Sequence, residues 1–320
     1  MSAILDVQDL VVHFKVLKGN KTHIVQAVDG VSFSLERGET LGLVGESGCG
    51  KTTVGRTIVG FNKPNSGKII FDGNEIGPDN LKSYRSRMQM VFQDPYSSLD
   101  PRMSVNDIVG EPLDIQFPEM SRAERNERVL AQMRLVGLNS EHLSRFPHEF
   151  SGGQRQRISI ARAMVTKLDV LICDEPVSAL DVSIQAQIIN MLMDIQEQFG
   201  LAYLFIAHDL SVVRHISRRV VVMYLGHVME SNLAEDLYTH PLHPYTLALL
   251  SAIPVPDPRL SRAKKRIVLK GDVPSPINPP SGCVFRTRCP YASAVCTESA
   301  PKAEDVGGGH IVACHNLRTL

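Results

Sequence analysis

The 320-residue sequence has no charge imbalance, with 34 Lys and Arg against 34 Asp and Glu. Without a net field, nothing recruits nucleic acid or anionic lipid to the surface as a whole, which argues against a DNA-coating role. Long apolar runs are also missing. Stretches such as Val220–Leu225 and Tyr245–Ile253 fall far short of the roughly 18 residues that a membrane-spanning helix requires, so the chain is not itself a channel. The opening MSAILDVQDL carries acidic residues and lacks a basic segment followed by a long apolar one. It does not read as a secretory signal, and a cytoplasmic protein is expected. Six cysteines are too few for a disulfide scaffold, yet Cys283, Cys289, Cys296 and Cys314 crowd into the last 38 positions. What is present, 43% hydrophobic and 21% charged residues, is ordinary globular material with enough apolar surface for a sizeable core.

Proline divides the chain unevenly: eight of the 19 lie before residue 240 and eleven after it, with PVPDP at 254–258 and PSPINPP at 274–280. A large N-terminal domain followed by a small C-terminal module is therefore expected. Alternating or apolar segments at Leu5–Phe14, Val28–Leu35 and Thr40–Val44 are separated by the turn formers Gly19-Asn20 and Arg37-Gly38, which predicts antiparallel strands leading into a buried one. Further buried strands are expected at Met88–Phe92, Val170–Cys173, Tyr203–Ala207 and Val220–Leu225, with a helix at Gln185–Phe199 among them. That alternation argues for a mostly parallel sheet covered on both faces. Between about 101 and 168, Arg122–Val136 and Gly153–Val165 read as helices with no intervening strand, a helical insertion.

Chemistry enters at Gly45-Glu46-Ser47-Gly48-Cys49-Gly50-Lys51-Thr52, which matches GxxxxGK[ST] directly after the apolar run Leu41–Val44. Glycines at 45, 48 and 50 let the backbone curl so that successive amides point inward, and the helix starting near Lys51 adds its positive end to an anion held there. Lys51 suits the outer phosphates, and the Thr52 hydroxyl suits magnesium. The second element is Val170-Leu171-Ile172-Cys173-Asp174-Glu175, an apolar strand ending in two acids. It assigns Asp174 to the magnesium shell and leaves Glu175 to polarise a water. The third is Ser151-Gly152-Gly153-Gln154, where Ser151 can cap a helix whose positive end faces an anion.

The segment Phe150-Ser151-Gly152-Gly153-Gln154-Arg155-Gln156-Arg157 resembles the signature motif of ATP-binding cassette (ABC) proteins. Gln93, Ser178-Ala179-Leu180-Asp181 and His208 fall in the order of that family's Q-loop, D-loop and H-loop, and Phe14 stands where the family has an adenine-stacking aromatic. Phe150 replaces the usual leucine and Cys173 sits inside the strand before Asp174, but neither touches a phosphate. The resemblance implies an α/β architecture: a P-loop NTPase core of ABC type with an antiparallel β subdomain and a helical subdomain, plus a small Pro-rich, Cys-containing C-terminal module. Residues 1–255 would be the ATP-binding domain, with its helical subdomain at about 94–168, and 256–320 the module. It also implies that ATP and Mg2+ bind at Gly45, Ser47, Gly48, Cys49, Gly50, Lys51, Thr52 and Thr53, with Gln93 and Asp174 joining Thr52 at the metal. Glu175, His208 and Gln93 would serve hydrolysis. In the family, Ser151, Gly152, Gly153 and Gln154 contact ATP held by a second ATP-binding subunit, so one P-loop and one signature imply a partner, identical or paralogous.

QDPYSSLDPR at 93–102, EPVSALDVS at 175–183 and HPLHPYTLALLSAIP at 240–254 are similar to the ATP-binding subunits of bacterial dipeptide and oligopeptide importers. Peptide uptake is then implied, with two transmembrane permease subunits docking near residues 94–101, a substrate-binding protein acting indirectly, no nucleic acid, and a peripheral location on the cytoplasmic face of the inner membrane. Nickel or another small solute remains an alternative cargo for this group. A soluble ABC ATPase of ribosomes or DNA would carry two cassettes or a long coiled-coil insertion, and a non-hydrolysing subunit would have lost Glu175 or His208.

The C-x5-C-x6-C-x17-C spacing of Cys283, Cys289, Cys296 and Cys314 sits in sequence too poor in apolar residues to make a core, so a staple is expected. The importer family associates this region with a [4Fe-4S] cluster. Zinc and unligated thiols stay open, His310 and His315 adding to the zinc alternative. Cys49 and Cys173 read as buried small hydrophobes. The basic residues Arg259, Arg262, Lys264, Lys265 and Arg266 and the mixed-charge stretch Arg122–Arg128 read as solvated faces.

Overall fold

The computed structural model describes residues 3–77, 79–254 and 266–317. Arg259, Arg262, Lys264 and Lys265, and with them 255–258 of the Pro-rich segment, lie outside the described residues. The chain forms two compact units. One holds Ile76–Ile206 with Leu35–Glu39, and the other gathers Leu5–Ser34, Thr40–Glu75 and the chain from Ala207 onward.

In the first unit the strands Met88–Val91, Val170–Asp174 and Ala202–Ala207 run parallel, Met88 opposite Val170 and Val170 opposite Ala202. The last two are buried along their whole length, which is why they read as unbroken apolar runs and not as alternation. Three helices, Val105–Gln116, Arg122–Leu135 and Gly152–Met164, pack on one another. Two of them answer the helices expected from spacing. Val105–Gln116 carries Pro112 in its interior, a residue that argues against a helix in a bare sequence. Its buried stripe of Val105, Ile108, Val109 and Leu113, and the Ser104 hydroxyl accepting from the Asp107 N–H at its start, hold it nonetheless. The longest helix, Val182–Phe199, begins where the Asp181 carboxylate accepts from the Ile184 N–H at 3.1 Å and ends at Gly200, whose φ of 66° only glycine adopts freely. It buries Ile188, Ile189, Leu192 and Ile195, the helical spacing of one apolar face.

The second unit contains a four-stranded antiparallel sheet. The hairpin Ala3–Lys18 and Lys21–Glu36 is followed by Ser66–Phe71 and Asn74–Glu75, Leu5 pairing with Phe71. This is the antiparallel part that the alternation predicts. The same unit places Thr40–Val44 parallel to Arg219–Tyr224, Leu41 opposite Arg219. Arg219–Tyr224 then pairs antiparallel with His227–Leu233, which pairs with Ile311–Val312. The terminal residues are also joined to this unit by side chains: Phe285 is 1% exposed, with its ring 5.2 Å from that of Tyr224 and 5.3 Å from that of Tyr245, the tilted spacing favoured by aromatic quadrupoles.

Candidate nucleotide site

The glycine loop follows a strand, Thr40–Val44, that is buried at every residue. Gly45, Gly48 and Gly50 all have positive φ (154°, 80° and 104°). At Gly50 the requirement is twofold, because a Cβ there would also overlap the Ala27 carbonyl oxygen. The helix Lys51–Ile58 starts immediately, with Gly50 at its N-cap and no side-chain cap, a helix start of the kind that suits an anion. Lys51 is only 4% exposed. Its Nζ donates to the Gly45 carbonyl at 2.8 Å and to the Glu46 carbonyl at 3.1 Å, so a cation is stored inside the loop on acceptors that a phosphate oxygen can replace. Burial pushes the Cys49 thiol up, with the nearby Lys51 charge pulling the other way; Cys49 is a packing residue of the loop, and its carbonyl accepts from the Gly226 N–H at 2.9 Å. Thr52 and Thr53 follow on the same first helical turn, half-buried, while Ser47 and Gly48 are exposed at the tip.

In the other unit, Asp174 ends its strand at 1% exposure, and Glu175 turns the chain with φ 45°. A left-handed conformation is costly for glutamate and persists where surrounding bonds over-determine it. Here the Glu175 N–H donates to the Ile206 carbonyl at 2.9 Å, and its carbonyl accepts from the Ser178 hydroxyl at 3.1 Å. Gln93 Nε2 donates to Glu175 Oε2 at 2.8 Å, so two of the expected hydrolysis residues, far apart in sequence, meet. Burial, with the Asp174 charge adding to it, pushes the Cys173 thiol well up, consistent with a small core side chain.

Ser151 caps the helix Gly152–Met164 reciprocally with Gln154: the Gln154 N–H reaches the Ser151 hydroxyl at 3.4 Å and the Ser151 N–H reaches Gln154 Oε1 at 3.0 Å. Gly153 is small for a packing reason, since a Cβ there would lie 2.5 Å from Ile184 Cγ2. Phe14, on the hairpin strand, is 37% exposed. His208 is exposed just beyond the strand Ala202–Ala207.

The terminal cysteines are all free; Cys283 and Cys296 are buried, Cys289 and Cys314 half-buried. The Cys283 N–H donates to the Cys296 carbonyl at 2.8 Å. Asn316 approaches two of the sulfurs, its N–H at 3.3 Å from Cys314 Sγ and its Nδ2 at 3.5 Å from Cys296 Sγ. Burial first, and then Cys289, Cys283 and Cys296, push the Cys314 thiol up to about 11, against the Asn316 N–H. The other three thiols thus act on Cys314, but among the described residues no three His, Cys, Asp or Glu side chains gather in a way that could hold a metal ion.

Sequence reasoning missed three residues at the loop. Arg288 forms a two-pronged ion pair with Glu46, Nη1 to Oε2 at 2.6 Å and Nη2 to Oε1 at 3.1 Å, and the Tyr245 hydroxyl accepts from the Glu46 N–H at 3.0 Å. Glu46 occupies a free position of the motif, and nothing in the residues around Arg288 marks it as a partner.

Comparison with known proteins agrees with this geometry. The family model described as "ABC transporter" matches residues 28–178, and that described as "Oligopeptide/dipeptide transporter, C-terminal region" matches residues 229–296. The chain is 54% identical to the oligopeptide transport ATP-binding protein AppF of Bacillus subtilis (strain 168), over 98% of this chain and 97% of that protein. It is 52% identical to the oligopeptide transport ATP-binding protein OppF of Escherichia coli (strain K12), over 99% and 97%. Among solved structures, a post-hydrolysis dimer of the ATP-binding cassette MJ0796 bound to ADP and Pi shares the fold with a TM-score of 0.65 at 27% identity, over 72% of this chain and 98% of the other. The chain belongs to the ATP-binding cassette family, in the group that carries the oligopeptide/dipeptide transporter C-terminal region.

Proposed function

We propose that the chain is the ATP-binding and hydrolysing subunit of an importer that takes up di- or oligopeptides, working peripherally at the cytoplasmic face of the inner membrane. The observation that carries the reading is the phosphate cradle, a buried Lys51 turned into a glycine loop at a helix start. Relatives about half identical along their length are oligopeptide transport ATP-binding proteins, which supports the peptide cargo. Residues 1–255 act as the ATP-binding domain, with a helical subdomain at about 94–168, and 256–320 as a C-terminal module.

ATP is the substrate. Gly45, Ser47, Gly48, Cys49, Gly50, Lys51, Thr52 and Thr53 hold its phosphates and Phe14 stacks on adenine. Glu175 orients the attacking water, and the Gln93 amide N–H keeps that carboxylate in one orientation. His208 stabilises the charge on the transferred phosphoryl group. The Thr52 hydroxyl, the Gln93 amide oxygen and the Asp174 carboxylate are hard oxygen donors of the kind Mg2+ takes; spending its N–H on Glu175 leaves the Gln93 oxygen free for that use. Magnesium there supplies neutralisation of phosphate charge.

Ser151, Gly152, Gly153 and Gln154 offer a capped helix start to the ATP of a second ATP-binding subunit, a copy of this chain or a paralogue. The dimeric state of the related cassette supports that partnership. Two transmembrane permease subunits dock near residues 94–101, where Tyr96 is 67% exposed, and a substrate-binding protein delivers cargo to them. Cys283, Cys289, Cys296 and Cys314 supply the four thiolates of a [4Fe-4S] cluster. The N–H donors that approach the Cys314 and Cys296 sulfurs suit thiolate ligands.

Lys51→Ala tests the nucleotide reading. It should lose ATP binding measured by equilibrium dialysis, and unchanged affinity overturns the reading. Cargo is tested by reconstituting the chain with its neighbouring permease and ATPase subunits in proteoliposomes. ATP-dependent uptake of a labelled tripeptide is expected, whereas uptake of nickel and no peptide would select the alternative.

A further inference from the structure

Glu46 is a puzzling residue to find in a loop that receives a polyanion. It stands between Gly45 and Ser47, and its carbonyl is one of the two acceptors on which Lys51 rests. A carboxylate this close to bound phosphates repels them through a partly desolvated path, where one charge acting on another is worth far more than in water. The C-terminal residues answer that charge. The Arg288 guanidinium meets the Glu46 carboxylate fork to fork, with side-chain exposures of 8% and 28%, the geometry that arginine provides and lysine does not. The guanidinium is held in turn, lying 5.8 Å from the centroid of the Tyr224 ring. The Arg288 N–H donates to the carbonyl of Phe285 at 3.0 Å, and Phe285 is locked between Tyr224 and Tyr245. Tyr245 takes the Glu46 N–H. Glu46 is thus gripped at its side chain by Arg288, at its amide by Tyr245 and at its carbonyl by Lys51, and the first two partners come from the last third of the chain.

We propose that Arg288 is a positioning residue of the nucleotide site: it neutralises Glu46 and fixes the orientation of the phosphate loop, so that the C-terminal segment sets the affinity for ATP. The inference rests on the reading of Gly45–Thr52 as the ATP phosphate site. Removing the guanidinium leaves a carboxylate free to face the phosphates; removing the carboxylate as well takes away the repulsion. This reciprocity separates electrostatic positioning from a staple that merely keeps the module folded.

The test is equilibrium binding of a fluorescent ATP analogue to the intact chain, with ATPase kinetics alongside. Arg288→Gln should weaken binding about tenfold, the size expected of one uncompensated charge near a protein surface. That loss should shrink as salt rises, and KM for ATP should rise while kcat at saturating ATP stays close to wild type. Adding Glu46→Gln to Arg288→Gln should restore most of the affinity. Arg288→Lys, which keeps the charge but not the fork, should fall between wild type and Arg288→Gln, and it serves where Arg288→Gln fails to fold. Unchanged affinity in Arg288→Gln overturns the proposal. So does an equal loss with and without Glu46→Gln, which is the outcome of a structural staple. Lys51→Ala measured in parallel separates the two levels. If Lys51→Ala loses ATP and Arg288→Gln does not, only the positioning role falls. If Lys51→Ala binds like wild type, the phosphate site and the positioning role fall together.

Discussion

Gln93 holds the Glu175 carboxylate by a 2.8 Å hydrogen bond, on a residue whose own backbone is held in the left-handed region at φ 45°. Two restraints therefore act on one glutamate, one on the side chain and one on the main chain. Surface glutamates are not normally fixed in this way, and the cost is justified where the direction of a carboxylate matters to a reaction.

Glu175→Gln removes the base and keeps the shape. Because a positioned base contributes about 10²–10⁴-fold, kcat should fall by at least about 10²-fold while ATP affinity is retained, and ATP should accumulate on a trapped dimer. Gln93→Ala leaves the carboxylate in place without the Gln93 hydrogen bond, and should lose less. Steady-state phosphate release and gel filtration with ATP check both; near wild-type turnover in Glu175→Gln would remove the residue from the mechanism.

Gly153 faces Ile184 across the pair of helices Gly152–Met164 and Val182–Phe199, with 2.5 Å available to a Cβ. Two effects compete in Gly153→Ala. Alanine gains up to about 1 kcal/mol over glycine in a helix, and overpacking costs about 1–3 kcal/mol. Ile184 Cγ2 sits on a branched Cβ and cannot swing aside alone, so overpacking wins and a net loss of about 1–2 kcal/mol is expected. Denaturant unfolding should also show that Gly153→Ala with Ile184→Ala is more stable than the sum of the single changes. Additive losses would mean that the two side chains do not meet.

His243 caps the helix Pro244–Ser251, its Nδ1 accepting from the Tyr245 N–H at 3.0 Å. Burial pushes the imidazole down to about 3, with the Ala313 backbone pulling weakly the other way. In the unfolded chain the same group takes a proton near its ordinary value of about 6.5. Between those two values the unfolded state binds the extra proton, so stability is highest above about pH 7 and falls as pH drops toward about 3, by up to about 1.4 kcal/mol per unit. His243→Asn keeps an acceptor for the cap and removes this titration. Its stability should lose ground to acid less steeply than wild type, and parallel pH profiles would show that His243 is not held neutral.

Local rules carried much of this architecture. The strand Thr40–Val44, the glycine loop, the Ser151 and Gln154 cap and the helix Val182–Phe199 are legible because each is written in adjacent residues: an apolar run, a φ requirement, a hydroxyl three positions before an amide donor. Val105–Gln116 was not, because Pro112 weighs against a helix in isolation and only tertiary packing of its apolar stripe overrides that. The pairing of Arg288 with Glu46 spans 242 positions and leaves no periodic trace at either end. The Gln93 and Glu175 bond is likewise long-range, but each partner could be singled out by motif, so their meeting was expectable where that of Arg288 was not.

The terminal thiols give the last prediction. Residues 266–317 contain few regular elements, among them the short helix Val295–Glu298 and the two-residue strands Glu304–Asp305 and Ile311–Val312. Apart from Phe285 and its neighbours, the buried apolar side chains there are few, so apolar burial alone provides little folding free energy. Burial first, and then the neighbouring thiols, push the Cys283 and Cys314 thiols up, a further cost that is relieved when thiols give up their protons to a metal. Protein purified without exposure to air should therefore contain iron and acid-labile sulfide, with broad visible absorption. Serine at Cys283, Cys289, Cys296 or Cys314 should abolish both and open residues 270–317 to protease. Cys49→Ser and Cys173→Ser should retain the iron, because those two buried thiols lie outside the C-x5-C-x6-C-x17-C set. One zinc without sulfide would replace the cluster by a single-ion site, and neither metal nor any change in proteolysis would leave the four cysteines as packing residues, Cys296 among them held by Asn316 and Ser293.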